Sequence, residues 1–119
     1  MLKPKNILLL GLPETLASDL QKALPRKGWG IHSEPCLTER LAADLIFCAG
    51  ESKSYKPLLE EVKRKNPNLP VIIVSRYPEE SDWLDAIEAG ASDYCAPPFE
   101  RDSIQWIVQT ALKSRPVAA

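Results

Sequence analysis

The sequence alternates five short apolar runs with segments whose apolar residues recur at the spacing of a helix. The runs predict β-strands at Asn6–Leu10, Trp29–His32, Leu45–Ala49, Val71–Val74 and Tyr94–Ala96. Uninterrupted apolar runs are typical of parallel strands, because helices cover both faces of a parallel sheet. The helical segments fall between and after the runs, around Leu16–Leu24, Cys36–Ala42, Tyr55–Val62, Trp83–Ala89 and Ile104–Leu112. This alternation predicts one α/β domain with helices on both faces of a parallel sheet.

The length and the charge of the chain exclude several classes of protein. With 119 residues the chain is long enough for one hydrophobic core. We expect a domain over residues 1–114 and a flexible tail, or the start of a linker, over 115–119. The net charge is −1, which favours neither nucleic acid nor an anionic membrane surface as a partner. The apolar run near the N-terminus is too short for a membrane span.

The cysteine and histidine content predicts neither a disulfide framework nor a metal site. The three cysteines, Cys36, Cys48 and Cys95, are widely spaced, and His32 is the single histidine. Cys48 and Cys95 lie inside apolar runs, which favours buried thiols. His32 ends a predicted strand and is interpreted as a surface histidine. These features favour a reducing, cytoplasmic compartment.

The segment Pro70–Phe99 resembles the second half of the receiver domain of bacterial response regulators. The residues that carry the resemblance are Ser75 after a strand, Ala89-Gly90-Ala91 at a helix end, Asp93-Tyr94, and Pro97-Pro98-Phe99. The resemblance implies a flavodoxin-like (βα)5 three-layer sandwich with strand order 2-1-3-4-5. In this chain the second helix, Cys36–Ala42, is shortened. The family also implies a cis peptide bond between Pro97 and Pro98.

Receiver domains transfer a phosphoryl group to an aspartate, and this chain departs from the residues that the reaction requires. The nucleophile position falls on Ala49, the two metal-binding acids on Gly11 and Leu12, and the lysine on Pro97. Only the hydroxyl position is retained, as Ser75. The sequence therefore predicts a degenerate receiver, a pseudo-receiver, that is not an enzyme and binds no Mg²⁺ and no cofactor.

Two alternatives to the degenerate receiver remain open. Glu14 follows Pro13, and Glu51 lies two residues after Ala49; if either replaced a missing acid, the chain would be an atypical phosphoacceptor. A small flavodoxin-like ligand binder would use the same crevice at the carboxyl ends of the strands. The prolines at the strand ends argue against the second alternative.

The helix around Trp83–Ala89, the strand Tyr94–Ala96 and the last helix correspond to the surface through which receivers dimerise or bind partners. Trp83, Tyr94, Ala96 and Trp106 are the candidate interface residues. Trp106 lies off the apolar stripe formed by Ile104, Val108 and Ala111, so we expect it to face outward. The alternative for Trp83 is that it folds back over Ile87 or Tyr77. The expected partner is a second copy of the chain or another protein, since aromatic residues dominate protein interfaces.

Overall fold

The fold is described by a computed structural model for residues 5–24, 29–34, 43–50, 55–65, 68–76 and 80–113. These residues form five strands and four helices. The strands are β1 (Lys5–Leu10), β2 (Trp29–Glu34), β3 (Leu45–Ala49), β4 (Val71–Val74) and β5 (Asp93–Cys95). The helices are α1 (Glu14–Ala23), α2 (Tyr55–Lys65), α3 (Glu80–Glu88) and α4 (Arg101–Lys113).

The five strands form one parallel sheet of order β2-β1-β3-β4-β5. The parallel pairing confirms the sheet predicted from the apolar runs, and the strand order is the one that the receiver resemblance implies. β2 is longer than predicted, because it continues beside β1 as far as Glu34, which pairs with Leu10. The predicted second helix at Cys36–Ala42 and the tail at 115–119 lie outside the described residues, so both stay predictions.

Helices cover both faces of the sheet, and each face has its own apolar layer. On one face α1 and α4 pack against side chains such as Ile7, Leu9 and Phe47. On the other face α2 and α3 pack against side chains such as Leu8, Ile46 and Ile73. The alternation along each strand explains why the runs are apolar at every position.

The end of α3 is a Schellman turn that leads into β5. The amide of Gly90 donates to the Ile87 carbonyl at 3.1 Å, and the amide of Ala91 donates to the Ala86 carbonyl at 3.0 Å. Gly90 has φ +113°, a conformation that L side chains rarely adopt. This geometry confirms Gly90 as the glycine that ends the helix, as predicted.

Replacing Gly90 with alanine is expected to lower the free energy of unfolding by about 1 to 2 kcal/mol. Most of the loss should come from the positive φ, because the close contact that a Cβ would make, with Lys63 Cε, is with a flexible side chain. Urea unfolding of Gly90→Ala and of the double variant Gly90→Ala, Lys63→Ala separates the two causes. If the double variant regained the stability of Lys63→Ala alone, the steric contact and not the backbone would be responsible.

Candidate functional site

The carboxyl ends of the parallel strands meet at one edge of the sheet, where α/β proteins bind ligands. Gly11 and Leu12 follow β1, Ala49 ends β3, Ser75 follows β4, and Pro97 lies two residues after β5. The peptide bond between Pro97 and Pro98 is cis, as the resemblance implies. The structure therefore places the residues singled out in the sequence at one edge.

The side chains at this edge are chemically unlike those of a phosphoryl-transfer site. Gly11 has no side chain, and Leu12 packs against the apolar layer of α1 and α4. Ala49 presents a methyl group, which can neither attack phosphorus nor ligate a cation. Glu14, the nearest acid after β1, is exposed in the first turn of α1. Glu51 lies outside the described residues.

The described part of the chain contains no group of three or more His, Cys, Asp or Glu side chains that could hold a metal ion. A hard divalent cation prefers carboxylate and carbonyl oxygens. The described residues at the carboxyl ends of β1 and β3 supply backbone carbonyls but no carboxylate there.

Ser75 keeps the hydroxyl position of a receiver, but its side chain is buried, with 5% exposed. Its amide donates to the Cys95 carbonyl at 3.1 Å, which continues the pairing of β4 with β5. Gly50 lies beside it, and its amide donates to the Val74 carbonyl at 2.8 Å. A Cβ at Gly50 would lie 2.6 Å from Ile73 Cγ2. The ends of β3 and β4 are thus packed closely together.

One contact at this edge was missed by the reading of the sequence. Arg76 Nη2 donates a hydrogen bond to Thr15 Oγ1, which joins the end of β4 to the first turn of α1. Arg76 and Thr15 are 61 residues apart, and no local pattern marks either of them. In the sheet β3 lies between β1, which leads into α1, and β4, which leads to Arg76. The guanidinium therefore reaches past the end of β3, across the edge on which a receiver would carry out its chemistry.

The two thiols of the described residues are buried and unreactive. Burial raises the pKa of the Cys48 thiol to about 11. Burial, together with the negative charge of Asp93, raises the pKa of Cys95 to about 12. A reactive cysteine needs a lowered pKa, so neither thiol is suited to nucleophilic chemistry at neutral pH.

His32 lies within β2 and not at its end, because the strand extends to Glu34. Its side chain is exposed, and Nε2 is 3.4 Å from Asn6 Oδ1. Leu8 is its partner on the neighbouring strand, so His32 lies away from the carboxyl ends.

A second candidate site is the α3–β5–α4 surface, defined here by Leu84, Ile87, Tyr94, Ala96 and Trp106. Among the described residues, the exposed large hydrophobic side chains are Leu84 at 46%, Ile87 at 38% and Trp106 at 64% exposure, all on α3 or α4. Exposed apolar side chains on two helices beside the same edge strand, β5, make this surface a candidate for an interaction with another protein.

The aromatic residues of this surface belong to different layers. Tyr94 is half-buried against the layer of α2 and α3, whereas Trp106 lies on α4 in the opposite layer. Ala96 is half-buried after β5. Trp83 lies in α3, but its side chain is outside what the structure describes, so its outward orientation stays a prediction.

A groove runs between the edge of β5 and the outer side of α4. It has a volume of about 500 Å³ and is lined by Asp93, Asp102, Ser103, Trp106 and Ile107. We call it the Trp106 groove. The amide of Tyr94 donates to Asp93 Oδ1 at 2.7 Å, which fixes the position of the Asp93 carboxylate.

The described residues contain no helix that is long and apolar enough to cross a membrane. The chain matches no protein-family model. In sequence it is similar to a part of several bacterial regulators. It is 28% identical over 96 residues to the transcriptional regulatory protein ZraR of Escherichia coli, and 36% identical over 55 residues to the regulatory protein AtoC of the same organism. These matches span 72% and 46% of this chain but only 22% and 12% of the two regulators.

Solved structures of response regulators have the same fold. A response regulator from Thermotoga maritima superposes with a TM-score of 0.80 at 20% identity, over 92% of this chain and 98% of the other. NtrX from Brucella abortus, solved in complex with ATP, gives 0.82 at 22% identity over 94% of this chain and 28% of the other. HP1043, an orphan response regulator of Helicobacter pylori, gives 0.75 at 21% identity over 92% and 98%.

Proposed function

We propose that this chain, which has the fold of response regulator receiver domains and sequence similarity to bacterial transcriptional regulators, is a signalling module that works without phosphorylation. It acts by contact with another protein through the α3–β5–α4 surface and catalyses no reaction. The observation that carries the proposal is the carboxyl edge of the sheet, which holds Gly11, Leu12, Ala49 and Pro97, the residues that the resemblance assigns to the positions of a receiver's charged groups.

The four departures from the receiver pattern at this edge support the proposal more strongly together than any one of them does alone. Phosphoryl transfer to a carboxylate needs the nucleophile, a metal ion that offsets the phosphate charge, and a cation that binds the phosphate oxygens. Each of these three needs falls on an uncharged residue here. The close packing of Gly50 against Ile73 and the Arg76–Thr15 hydrogen bond also favour an edge held in one arrangement.

The second support is the contrast between the two candidate sites. The edge that receivers use for chemistry lacks charged groups at four positions, while α3 and α4 keep exposed apolar side chains. Exposing Leu84, Ile87 and Trp106 to water is unfavourable for an isolated domain. A partner protein that covers these side chains would remove them from water.

The chain spans about a fifth of the length of the first curated relatives that it matches. The transcriptional activity of those longer proteins is therefore a property of the relatives. For this chain we propose only the regulatory part of such an arrangement, in the cytoplasm, with the output supplied by the protein that the surface contacts.

The wild-type chain is expected to take up no phosphoryl group from acetyl phosphate in the presence of Mg²⁺. Intact-mass spectrometry measures this directly, with an active receiver domain treated in parallel as the positive control. Tryptophan fluorescence during a Mg²⁺ titration should also stay unchanged. A labelled wild-type chain would contradict the proposal, and loss of the label in Glu14→Gln or Glu51→Gln would identify the displaced acid.

A further inference from the structure

Charge is distributed unevenly along the chain, although the net charge is close to zero. The segment 80–113, which forms α3, β5 and α4, carries seven acidic residues, Glu80, Asp82, Asp85, Glu88, Asp93, Glu100 and Asp102. Its two basic residues are Arg101 and Lys113. The remainder of the chain must therefore be net basic, because the whole has a charge of −1. The elements that form the α3–β5–α4 surface are the acidic part of the molecule.

The Trp106 groove brings two of these carboxylates together with an exposed indole. Asp93 enters it from β5 and Asp102 from the first turn of α4, while Ile107 supplies an apolar wall. An aromatic face attracts a guanidinium or ammonium group, and a nearby carboxylate adds a charge-assisted hydrogen bond. Trp106, with 64% of its side chain exposed, is accessible to such a group.

The same charge disfavours a second copy of the chain as the occupant. A two-fold symmetric contact places the same surface of both subunits together, so acidic segments would face each other. Like charges across an interface oppose association. Nucleic acid is disfavoured for the same reason, because its phosphates carry negative charge.

We propose that the Trp106 groove binds a basic, partly apolar segment of a different protein. In this complex an arginine or lysine lies over the indole of Trp106 between Asp93 and Asp102, and an apolar neighbour contacts Ile107. The inference rests on the proposed contact function and adds the chemistry of the partner, which the function alone leaves open.

The test is a selection of random-sequence displayed peptides on the wild-type chain, with the isolated peptides then measured against variants. Trp106→Ala removes the indole. Asp93→Asn and Asp102→Asn remove charge while they keep the size of the side chain, and the carboxamide introduced by Asp93→Asn keeps an oxygen that can accept from the Tyr94 amide. Glu60→Gln, an exposed acid on α2, is the matched control. Circular dichroism establishes that each variant is folded.

The selected peptides are expected to be net basic, and their affinity should fall with rising salt. Trp106→Ala should weaken binding by about tenfold or more, since buried aromatic contacts dominate interfaces. Each Asp→Asn variant should weaken it by roughly threefold to tenfold, and Glu60→Gln should leave it unchanged within about twofold. Neutral or acidic peptides, an absence of selected peptides, or equal affinity for Trp106→Ala would overturn the inference.

Sedimentation of the wild type and of Trp106→Ala tests whether a second copy of the chain, and not a different protein, occupies the groove. A wild-type dimer that Trp106→Ala dissociates would overturn the inference of a basic partner, but it would leave the proposed contact function intact. Repeating the peptide measurement with acetyl phosphate and Mg²⁺ tests the proposed function separately from the inference of a basic partner. Peptide binding that appears only after phosphorylation would contradict the proposed function itself.

Discussion

Ala49→Asp is expected to remain unlabelled by acetyl phosphate, although it restores a carboxylate at the end of β3. The new side chain would have no metal ion to offset the charge of the incoming phosphate, because Gly11 and Leu12 supply no carboxylate. It would also have no cation in the place of Pro97. Intact-mass spectrometry with and without Mg²⁺ measures the result. Stable, Mg²⁺-dependent labelling of this single variant would show that the correspondence with receiver positions is wrong.

The matched variant carries all four changes, Gly11→Asp, Leu12→Asp, Ala49→Asp and Pro97→Lys, with Ser75 retained. It is expected to gain Mg²⁺-dependent label, because the nucleophile, the metal ligands and the phosphate-binding cation are restored together. Aspartate tolerates the positive φ of 67° at Gly11 better than most residues. Loss of the contact between Leu12 and the apolar layer should lower stability, so the fold is checked first. A folded but unlabelled variant would show that the packing of this edge has itself changed.

Alkaline pH is expected to destabilise the chain by an amount that is large for so small a domain. The pKa of the Cys48 thiol is raised by burial to about 11, and that of Cys95 by burial and by Asp93 to about 12. In the unfolded chain both thiols should titrate near their ordinary value of 9.0. Between these values the unfolded state loses protons that the folded state keeps, so stability falls as pH rises.

Each thiol should contribute about 2 kcal/mol to the loss of stability between about pH 8 and about pH 11. Urea unfolding across this range measures the decline in the wild type, in Cys48→Ala and in Cys95→Ala. In each variant the fall in the free energy of unfolding should be smaller by the contribution of the thiol that was removed, whatever the stability of the variant at neutral pH. Ser103→Ala, an exposed substitution, should leave the decline unchanged. Equal pH dependence in all the variants would contradict the burial of these thiols.

Much of the sheet could be predicted because most strands are marked by an apolar pattern within their own short segment of the sequence. Runs such as Asn6–Leu10 and Val71–Val74 are apolar at almost every position, and a strand between two helical layers accommodates that pattern. The end of α3 at Gly90 was also predictable, because positive φ favours glycine. The end of β2 was not, since its last residues are polar and are held by pairing with β1.

In the candidate sites, too, some features could be predicted from the local sequence and others could not. The residues at the carboxyl edge follow from where each strand ends, and the outward position of Trp106 follows from its place beside Ile104 and Val108 on one helix. The Arg76–Thr15 hydrogen bond and the Trp106 groove depend on contacts between elements. Asp93 lines the groove with α4 because β5 lies at the edge of the sheet, which helical spacing alone does not reveal.

The strand order has a consequence for how the protein is made. After β1 and β2 have paired, β3 joins β1, β4 joins β3 and β5 joins β4, so each new strand finds its neighbour already synthesised. Among the described elements α3, β5 and α4 follow all the others, and they form one continuous stretch of sequence. A chain truncated within residues 80–113 therefore lacks part of the binding surface, and a partner that recognises this surface binds only chains in which all three elements are present.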